Sequence, residues 1–551
     1  MSPDLRKLGA LGFAGTVAVV AACSDSTSSK GNEPAAPAAI RACQVTRNSV
    51  KVEWAPSATA TGYTLERADV QPNFPGTTTA ATDTFAVVTS LTNDVISYFR
   101  VRASNADGTS DASSVVSFTA QSAEGVLQGD ITCPRTLVKD TAYTIRGYAK
   151  VKNGAVLTIP AGTTLKGDAL VAGSSLWILR GSRIEATGTS AEPIVFTSSK
   201  AAGTRAPGDW GGLIIVGNGI INRTGTILTE GPAGVTEVYS GGNNNADNSG
   251  TLRYVRVEFA GYDVSGGAGQ ELNSFSLYAV GGGTTLEYAE ALGGLDDSFE
   301  YFGGAVDGRY LVSYEAGDDH FDWSEGYRGR NQFLIAFQSV RLQPAPGRGT
   351  ISTDPEGFEG DGCAGTGCAS GEASLPFSQP VFANFTIVGP GTGTTITSGG
   401  DNGAVIRRGT SGYFTGGILA RWQRSGLSVR DTSTANRVTA DSLVIANLIL
   451  AENTGKNYLE NTVDTVTTYA TLNHVKIDGV GATATILTSV TPPGLNFTPI
   501  GSAVTGGNTV TLPASKLANF FGGTITQPAY FGAVDPAGPE WYAGWTTYAQ
   551  N

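Results

Sequence analysis

Three phenylalanines set the strongest constraint on this chain. Phe275 in ELNSFSLYAVGGG, Phe299 in LDDSFEYFGGA and Phe321 in GDDHFDWSEGY lie 24 and 22 residues apart, each heading a short apolar run that closes on Gly. Repeats of roughly 20 to 25 residues built from strands, without the leucine spacing of leucine-rich repeats, point to a parallel β-helix. No coil can bury its own inner face, so coils must stack, and equivalent residues then lie about 4.8 Å above one another. Further along, FANFTIVGPG, VIANLILAEN and TLNHVKIDGV repeat an Asn-apolar-x-apolar core at Asn384, Asn447 and Asn473. A second set of β-sandwiches is the competing architecture.

The solenoid texture runs from about residue 124 to 551: short strands, each closed by Gly, Asn or Asp, with hardly any helical periodicity. Residues 38–120 differ. They alternate apolar and polar positions in short runs between turn residues, the mark of an antiparallel sandwich. A content of 74 Gly, one Met and 15% charged residues in 551 fits an all-β, turn-rich chain with at least two folded units. A formal net charge of -12 repels phosphate backbones and anionic lipid surfaces, which argues against nucleic acid as a partner.

The N-terminus reads as a processing signal over residues 1–22, because Arg6 and Lys7 precede an apolar run from Leu8 to Ala22 that is too short to span a bilayer comfortably. Val20-Ala21-Ala22-Cys23 resembles the lipobox of bacterial lipoproteins, which implies that Cys23 becomes a lipidated N-terminus. Ser24 after it resembles the outer-membrane sorting pattern of enteric bacteria. An ordinary cleaved signal with an incidental Cys is the plain alternative. Residues 23–37, rich in Ser, Ala and Pro, form a flexible tether. With Cys23 assigned to lipid, Cys363 and Cys368 bracket a loop short enough to close locally, and Cys43 and Cys133 are left as a pair tying the second unit to the first. Metal ligation by these thiols is the weaker reading, given two His in the chain and no Cys-x-x-Cys.

Two longer resemblances follow from the residues. SVKVEWAPSATATGYTLERA and YFRVRASNADGTSDASSVVSF resemble fibronectin type III domains, with Trp54 and Tyr63 in core positions and Phe99 to Ala103 as a late strand; Ser97 stands where a corner tyrosine is expected. IRGYAKVKNGAVLTIPAGTTLKGD, RIEATGTSAEPIVFTSS, GDWGGLIIVGNGIIN and YFGAVDPAGPEWYAGWTTYA resemble a family of large surface lipoproteins of environmental bacteria. That likeness implies a right-handed parallel β-helix similar to pectate lyases. It implies no particular reaction.

The candidate site is the acidic run written twice, as Asp296-Asp297-Ser298-Phe299-Glu300-Tyr301 and Asp318-Asp319-His320-Phe321-Asp322-Trp323. Stacking places Asp296 near Asp318 and Asp297 near Asp319, and like charges at coil spacing repel by about 3 kcal/mol at an effective dielectric of 20. Relief by Ca²⁺ fits an oxygen-rich, His-poor set, with Asp296, Asp297, Asp318, Asp319 and Asp322 as ligands and Glu300, Glu325, Glu356, Glu359 and Asp361 nearby in sequence. Relief by Arg309, Arg328 and Arg330 in a surface ladder of ion pairs is the account that needs no function. Relief by a shared proton is the enzymatic account. GLDDSF resembles the paired-Asp motif of polygalacturonases, which implies Asp297 or Asp319 as acid and Asp296 or Asp318 activating water, although the accompanying motifs of that family are missing. A lyase variant gives Ca²⁺ to the Asp cluster and proton abstraction to Arg328 or Arg330.

Tyr301, Phe302, Tyr314, Trp323 and Tyr327 would stack on sugar rings if exposed, whereas strand alternation sends Glu300 and Asp322 outward and turns Tyr301 and Trp323 inward. Trp210 in GDWGG reads as a packed bend. The sequence thus leads to an exported, lipid-anchored protein of the outer membrane or cell surface with a structural or glycan-binding role toward extracellular polysaccharide. The alternative is an enzyme that degrades uronate-containing polysaccharide.

Overall fold

The structure, a computed structural model, describes residues 32–121, 125–266, 269–344, 346–393, 400–454, 456–460, 475–479, 483–508 and 511–548. Cys23, Asn473 and the apolar leader lie outside the described residues. Among those described the fold is all-β apart from the helices Thr432–Thr439 and Ala514–Leu517 and two 3-10 turns.

The N-terminal unit is a sandwich of a three-stranded and a five-stranded antiparallel sheet. Alternate residues of Ser49–Glu53, Gly62–Asp69 and Ile96–Asn105 turn inward, burying Val50, Val52, Tyr63, Leu65, Phe99, Val101 and Ala103 around Trp54. Ser97, at the corner where a tyrosine was expected, is buried and donates its hydroxyl to Asp69 Oδ1 at 2.6 Å.

Beyond residue 125 the chain winds into a parallel β-helix, not a second sandwich. An eleven-stranded parallel sheet, the narrow sheet, includes Tyr148–Val151, Ser175–Ile178, Gly212–Val216, Phe275–Tyr278, Phe299–Phe302, Phe321–Ser324 and Phe358–Gly360 as consecutive neighbours. A fifteen-stranded broad sheet takes the return strands, among them Gly250–Glu258, Thr285–Leu292, Asp307–Tyr314, Arg330–Phe337, Val381–Val388, Gly412–Ala420 and Leu443–Ala451. The repeat phenylalanines are in register, Phe275 on Phe299 on Phe321 on Phe358. The first three rings stack down the core with centroids 4.7 and 5.3 Å apart, and Phe358 follows at 5.5 Å, tilted by 35°. Such offset ring pairs add to the area term that drives coil stacking.

The broad sheet bends at one repeated corner. Tyr254, Tyr288, Tyr310, Phe333, Asn384 and Asn447 all hold φ between 50° and 62°, in the left-handed region that aromatic residues rarely occupy. The Asn signal read from the sequence is therefore a corner signal, and in the earlier coils aromatic rings replace it. Tyr254, Tyr288, Tyr310 and Phe333 stack outside the corner with centroids 4.4, 4.5 and 5.1 Å apart.

The ends of the solenoid are closed differently. Thr132 Oγ1, in the first coil, donates to Ala42 O of the sandwich at 3.0 Å and accepts from Ala42 N at 3.4 Å, next to the Cys43–Cys133 disulfide. Arg135 donates to Gln44 Oε1 at 2.9 Å. The sandwich thus sits on strand edges that would otherwise be free. At the other end the described coils run to Val475–Gly479, and residues 483–508 and 511–548 lie against the outer face of the broad sheet rather than adding coils. Trp545 and Phe497 bury there against residues such as Tyr314 and Phe337, and Thr547 N–H donates to Glu290 Oε1 at 3.0 Å.

Candidate functional site

Relative to each repeat phenylalanine, the residue two places earlier points into the corner of the coil and accepts the backbone N–H of its equivalent one coil on. Asn273 Oδ1 accepts from Asp297 N at 3.1 Å, Asp297 Oδ1 from Asp319 N at 2.8 Å, Asp319 Oδ1 from Glu356 N at 2.6 Å, and Glu356 Oε2 from Asn402 N at 2.6 Å. Ser425 closes the column by donating to Asn402 Oδ1 at 2.6 Å. The column is almost dry, with Asp297, Asp319 and Glu356 at 5%, 3% and 1% exposure. Its ends are amides and its middle is three carboxyls.

The residue one place after each phenylalanine makes a second acidic column, Glu300 on Asp322 on Glu359, facing away from the core. It is only partly exposed, with Glu300 at 9%, because flanking segments cover the face that strand alternation turns outward. Asn273 Nδ2 bonds the Glu300 carboxylate, and Glu230 and Glu271 bring further negative charge from two such segments. Asp296 and Asp318 lie between the two columns: oxygens of Asp296, Asp297 and Asp318, and again of Asp297, Asp319 and Asp322, come within 4.8 Å of one another. Asp318 Oδ1 and Asp322 Oδ1 are buried without a hydrogen-bond partner.

Burial, reinforced by the mutual repulsion of these groups, pushes Asp296, Asp297, Glu300, Asp319 and Glu359 well above the ordinary carboxylate range. Asp318 is raised to about 7 and Asp322 to about 8, again chiefly by burial, with the Arg407 guanidinium pulling both down. Arg407 bonds Glu359 Oε2 at 2.5 Å and Asp361 Oδ1 at 2.9 Å. His320, between Asp319 and Phe321, is 1% exposed; burial holds its imidazole down at about 3, and it accepts or donates at Nδ1 to Ser313 Oγ, 2.6 Å away.

The structure therefore brings Asp296, Asp297, Asp318, Asp319 and Asp322 together, and it separates the arginines expected to relieve them. Arg309 pairs with Glu287 and Arg330 with Asp307, away from the acidic columns. Arg328 is exposed and donates to Gln379 Oε1 at 3.1 Å, so it does not serve these carboxylates. Relief comes from Arg407, two coils further on, whose role had no local signal. The aromatic platform is also overturned: Tyr301, Trp323 and Tyr327 are fully buried, and Phe302 and Tyr314 are 7% and 2% exposed. Glu325 belongs to a separate cluster with Arg223 and the Tyr239 hydroxyl, 2.6 Å away. Trp210 is fully buried as a bend residue, donating to Glu258 O at 2.9 Å. Cys363 is bonded to Cys368 across the short loop.

Comparison with known proteins agrees with both folded units. Residues 129–490 match the model of the pectate-lyase like beta helix domain, and residues 35–119 that of the fibronectin type III domain. No curated protein sequence matches the chain. Similar solved structures include the twitchin kinase region from C. elegans, at 20% identity and TM-score 0.15, covering 16% of this chain and 17% of that one. The FN5 domain of Drosophila Lar, at 20% identity and TM-score 0.15, covers 16% of this chain and 99% of its own. The chain thus spans well under two thirds of the twitchin structure. With the helix model covering residues 129 to 490 of 551, the chain belongs to the pectate-lyase-like beta helix family and carries a fibronectin type III domain in front of it.

Proposed function

We propose that the protein is an exported, lipid-anchored surface protein whose acidic coils hold Ca²⁺ and bind an acidic extracellular polysaccharide without cleaving it. One observation carries the reading: two carboxylate columns on successive coils in which, among the described residues, one guanidinium, Arg407, pairs with a column member, Glu359. Charge that dense is stable only if protons or cations share it. The donor set is all oxygen, with the unpartnered Asp322 Oδ1 in it, and it fits a hard cation better than a transition metal. Asp296, Asp297, Asp318, Asp319 and Asp322 would hold the ion. When bound it would supply positive charge to which uronate carboxylates are attracted. The anchor and export rest on the Leu8–Ala22 run and on Cys23.

The test is calorimetric titration of chelator-stripped protein with Ca²⁺, followed by retention on immobilised polygalacturonate with and without the ion. Saturable Ca²⁺ binding with Ca²⁺-dependent retention and no new reducing ends supports the reading; no heat of binding at millimolar Ca²⁺ sinks it.

A second reading, degradation of a uronate-containing polymer, is favoured by the proton affinities of Asp318 and Asp322, raised to about 7 and 8. Carboxyls that hold a proton near neutrality are what a general acid requires. New reducing ends, or absorbance from an unsaturated product, lost in Asp318→Asn, would establish it over the first.

A further inference from the structure

Beside the acidic columns lies a cavity of about 20 Å³, lined among others by Asp318, His320, Gln338, Arg341, Glu356 and Trp422. That is room for one water molecule and for little else. Most of the polar lining is satisfied within the protein. Gln338 Nε2 donates to Ala316 O and Val340 O, both Glu356 oxygens accept from Asn402, and Trp422 Nε1 donates to Ile387 O. Three buried atoms of lining residues are left without any hydrogen-bond partner: His320 Nε2, Asp318 Oδ1 and Arg341 Nη1. An orphan of this kind costs about 1–3 kcal/mol, and three on residues that line one void call for an explanation.

The other side of the imidazole fixes what Nε2 can be. Ser313 Oγ lies 2.6 Å from Ser298 Oγ, to which it donates, and 2.6 Å from His320 Nδ1. A hydroxyl has one proton. With that proton given to Ser298, Ser313 accepts from Nδ1–H, and Nε2 is left as a bare acceptor. The three orphans are then two acceptors and one donor, which is the complement of a water molecule using both protons and one lone pair.

We propose that this cavity is a water site, in which one molecule donates to His320 Nε2 and Asp318 Oδ1 and accepts from Arg341 Nη1. Its effect is positional. The water ties Asp318 to an imidazole held by Ser313, itself bonded to Ser298, so that Asp318 meets the carboxylate columns in one orientation. His320 and Arg341 are positioning residues in this arrangement. The inference stands on hydrogen bonding alone and holds whether or not the columns bind Ca²⁺.

The rival arrangement is the opposite tautomer, with Nε2–H donating to the amide oxygen of Gln338 and the cavity dry. Nitrogen-15 labelling of histidine in the full chain separates the two, because only His320 and His474 report and His474→Gln leaves one imidazole. The expected spectrum shows a protonated Nδ1 and an unprotonated, hydrogen-bonded Nε2. A crystal structure is expected to show one solvent peak in contact with Nε2, Asp318 Oδ1 and Arg341 Nη1, lost in His320→Phe. An Nε2–H tautomer in the spectrum, or an empty cavity in the wild-type crystal, overturns the proposal.

Discussion

Asp297 accepts the backbone N–H of Asp319, one coil further on, at 2.8 Å. The bond needs an oxygen and no charge. Asn273 does the same work as an amide at one end of the column, accepting the N–H of Asp297 at 3.1 Å, so the bond itself does not call for the carboxyls that follow.

Asp297→Asn and Asp319→Asn are therefore expected to stabilise the chelator-treated protein at pH 8, by about 1–3 kcal/mol each, because each removes one member of a mutually repelling set. The same substitutions are expected to weaken Ca²⁺ binding at least about tenfold. Thermal unfolding in chelator and calorimetric titration check the two halves. Destabilisation in chelator would show that the charge itself supports the fold.

The cation-free protein should lose stability as pH rises. Asp318 and Asp322 are raised to about 7 and 8 in the folded chain and return to the ordinary range near 4 on unfolding. The native state then binds more protons than the unfolded state between about pH 4 and 8, so its stability falls with increasing pH across that window. Melting temperature in chelator is expected to drop from pH 5 to pH 8, and Ca²⁺ is expected to raise it more at pH 8 than at pH 5. An equal Ca²⁺ increment at both pH values would count against ligation by these carboxyls.

Arg407→Met should be costly. The guanidinium bonds both Glu359 and Asp361; Asp361 keeps its pair with Arg408, but Glu359 is left as a largely buried carboxylate without its cation. Breaking a buried pair from one side typically costs about 3–5 kcal/mol. Denaturant unfolding in chelator measures it, and Ca²⁺ is expected to recover part of the loss.

Cys43→Ser with Cys133→Ser is expected to cost about 2–4 kcal/mol and to loosen the first coil before the rest. The bridge closes a span of 90 residues between sandwich and helix. Hydrogen exchange of Val126 to Val151 against that of the central coils provides the readout; uniform protection would argue that the sandwich is only a neighbour.

Much of this was legible in the sequence for a physical reason: a solenoid repeats in the chain what it repeats in space. The 24 and 22 residue intervals between Phe275, Phe299 and Phe321 are the coil lengths. The third acidic coil was harder to see, because 37 residues separate Phe321 from Phe358 and a long excursion hides the register of Glu356 and Glu359. The burial of the outer column is hidden for the same reason. Alternation correctly sends Glu300 and Asp322 to the outer face, but segments remote in sequence cover that face, and remote packing leaves no local pattern. Arg407 has no local signal on these terms, whereas Arg309, Arg328 and Arg330 are close along the chain and pair elsewhere.

The left-handed corner shared by Tyr254, Tyr288, Tyr310, Phe333, Asn384 and Asn447 has an architectural corollary. Pinning each return strand at the same bend leaves the connections outside it free to change length without disturbing the turns above or below. The segment from 217 to 249, which supplies Glu230 between the strands ending at Val216 and starting at Gly250, is one such long connection. New chemistry can thus be grafted onto a single storey of this molecule while its neighbours keep their sequence, their spacing and their shape.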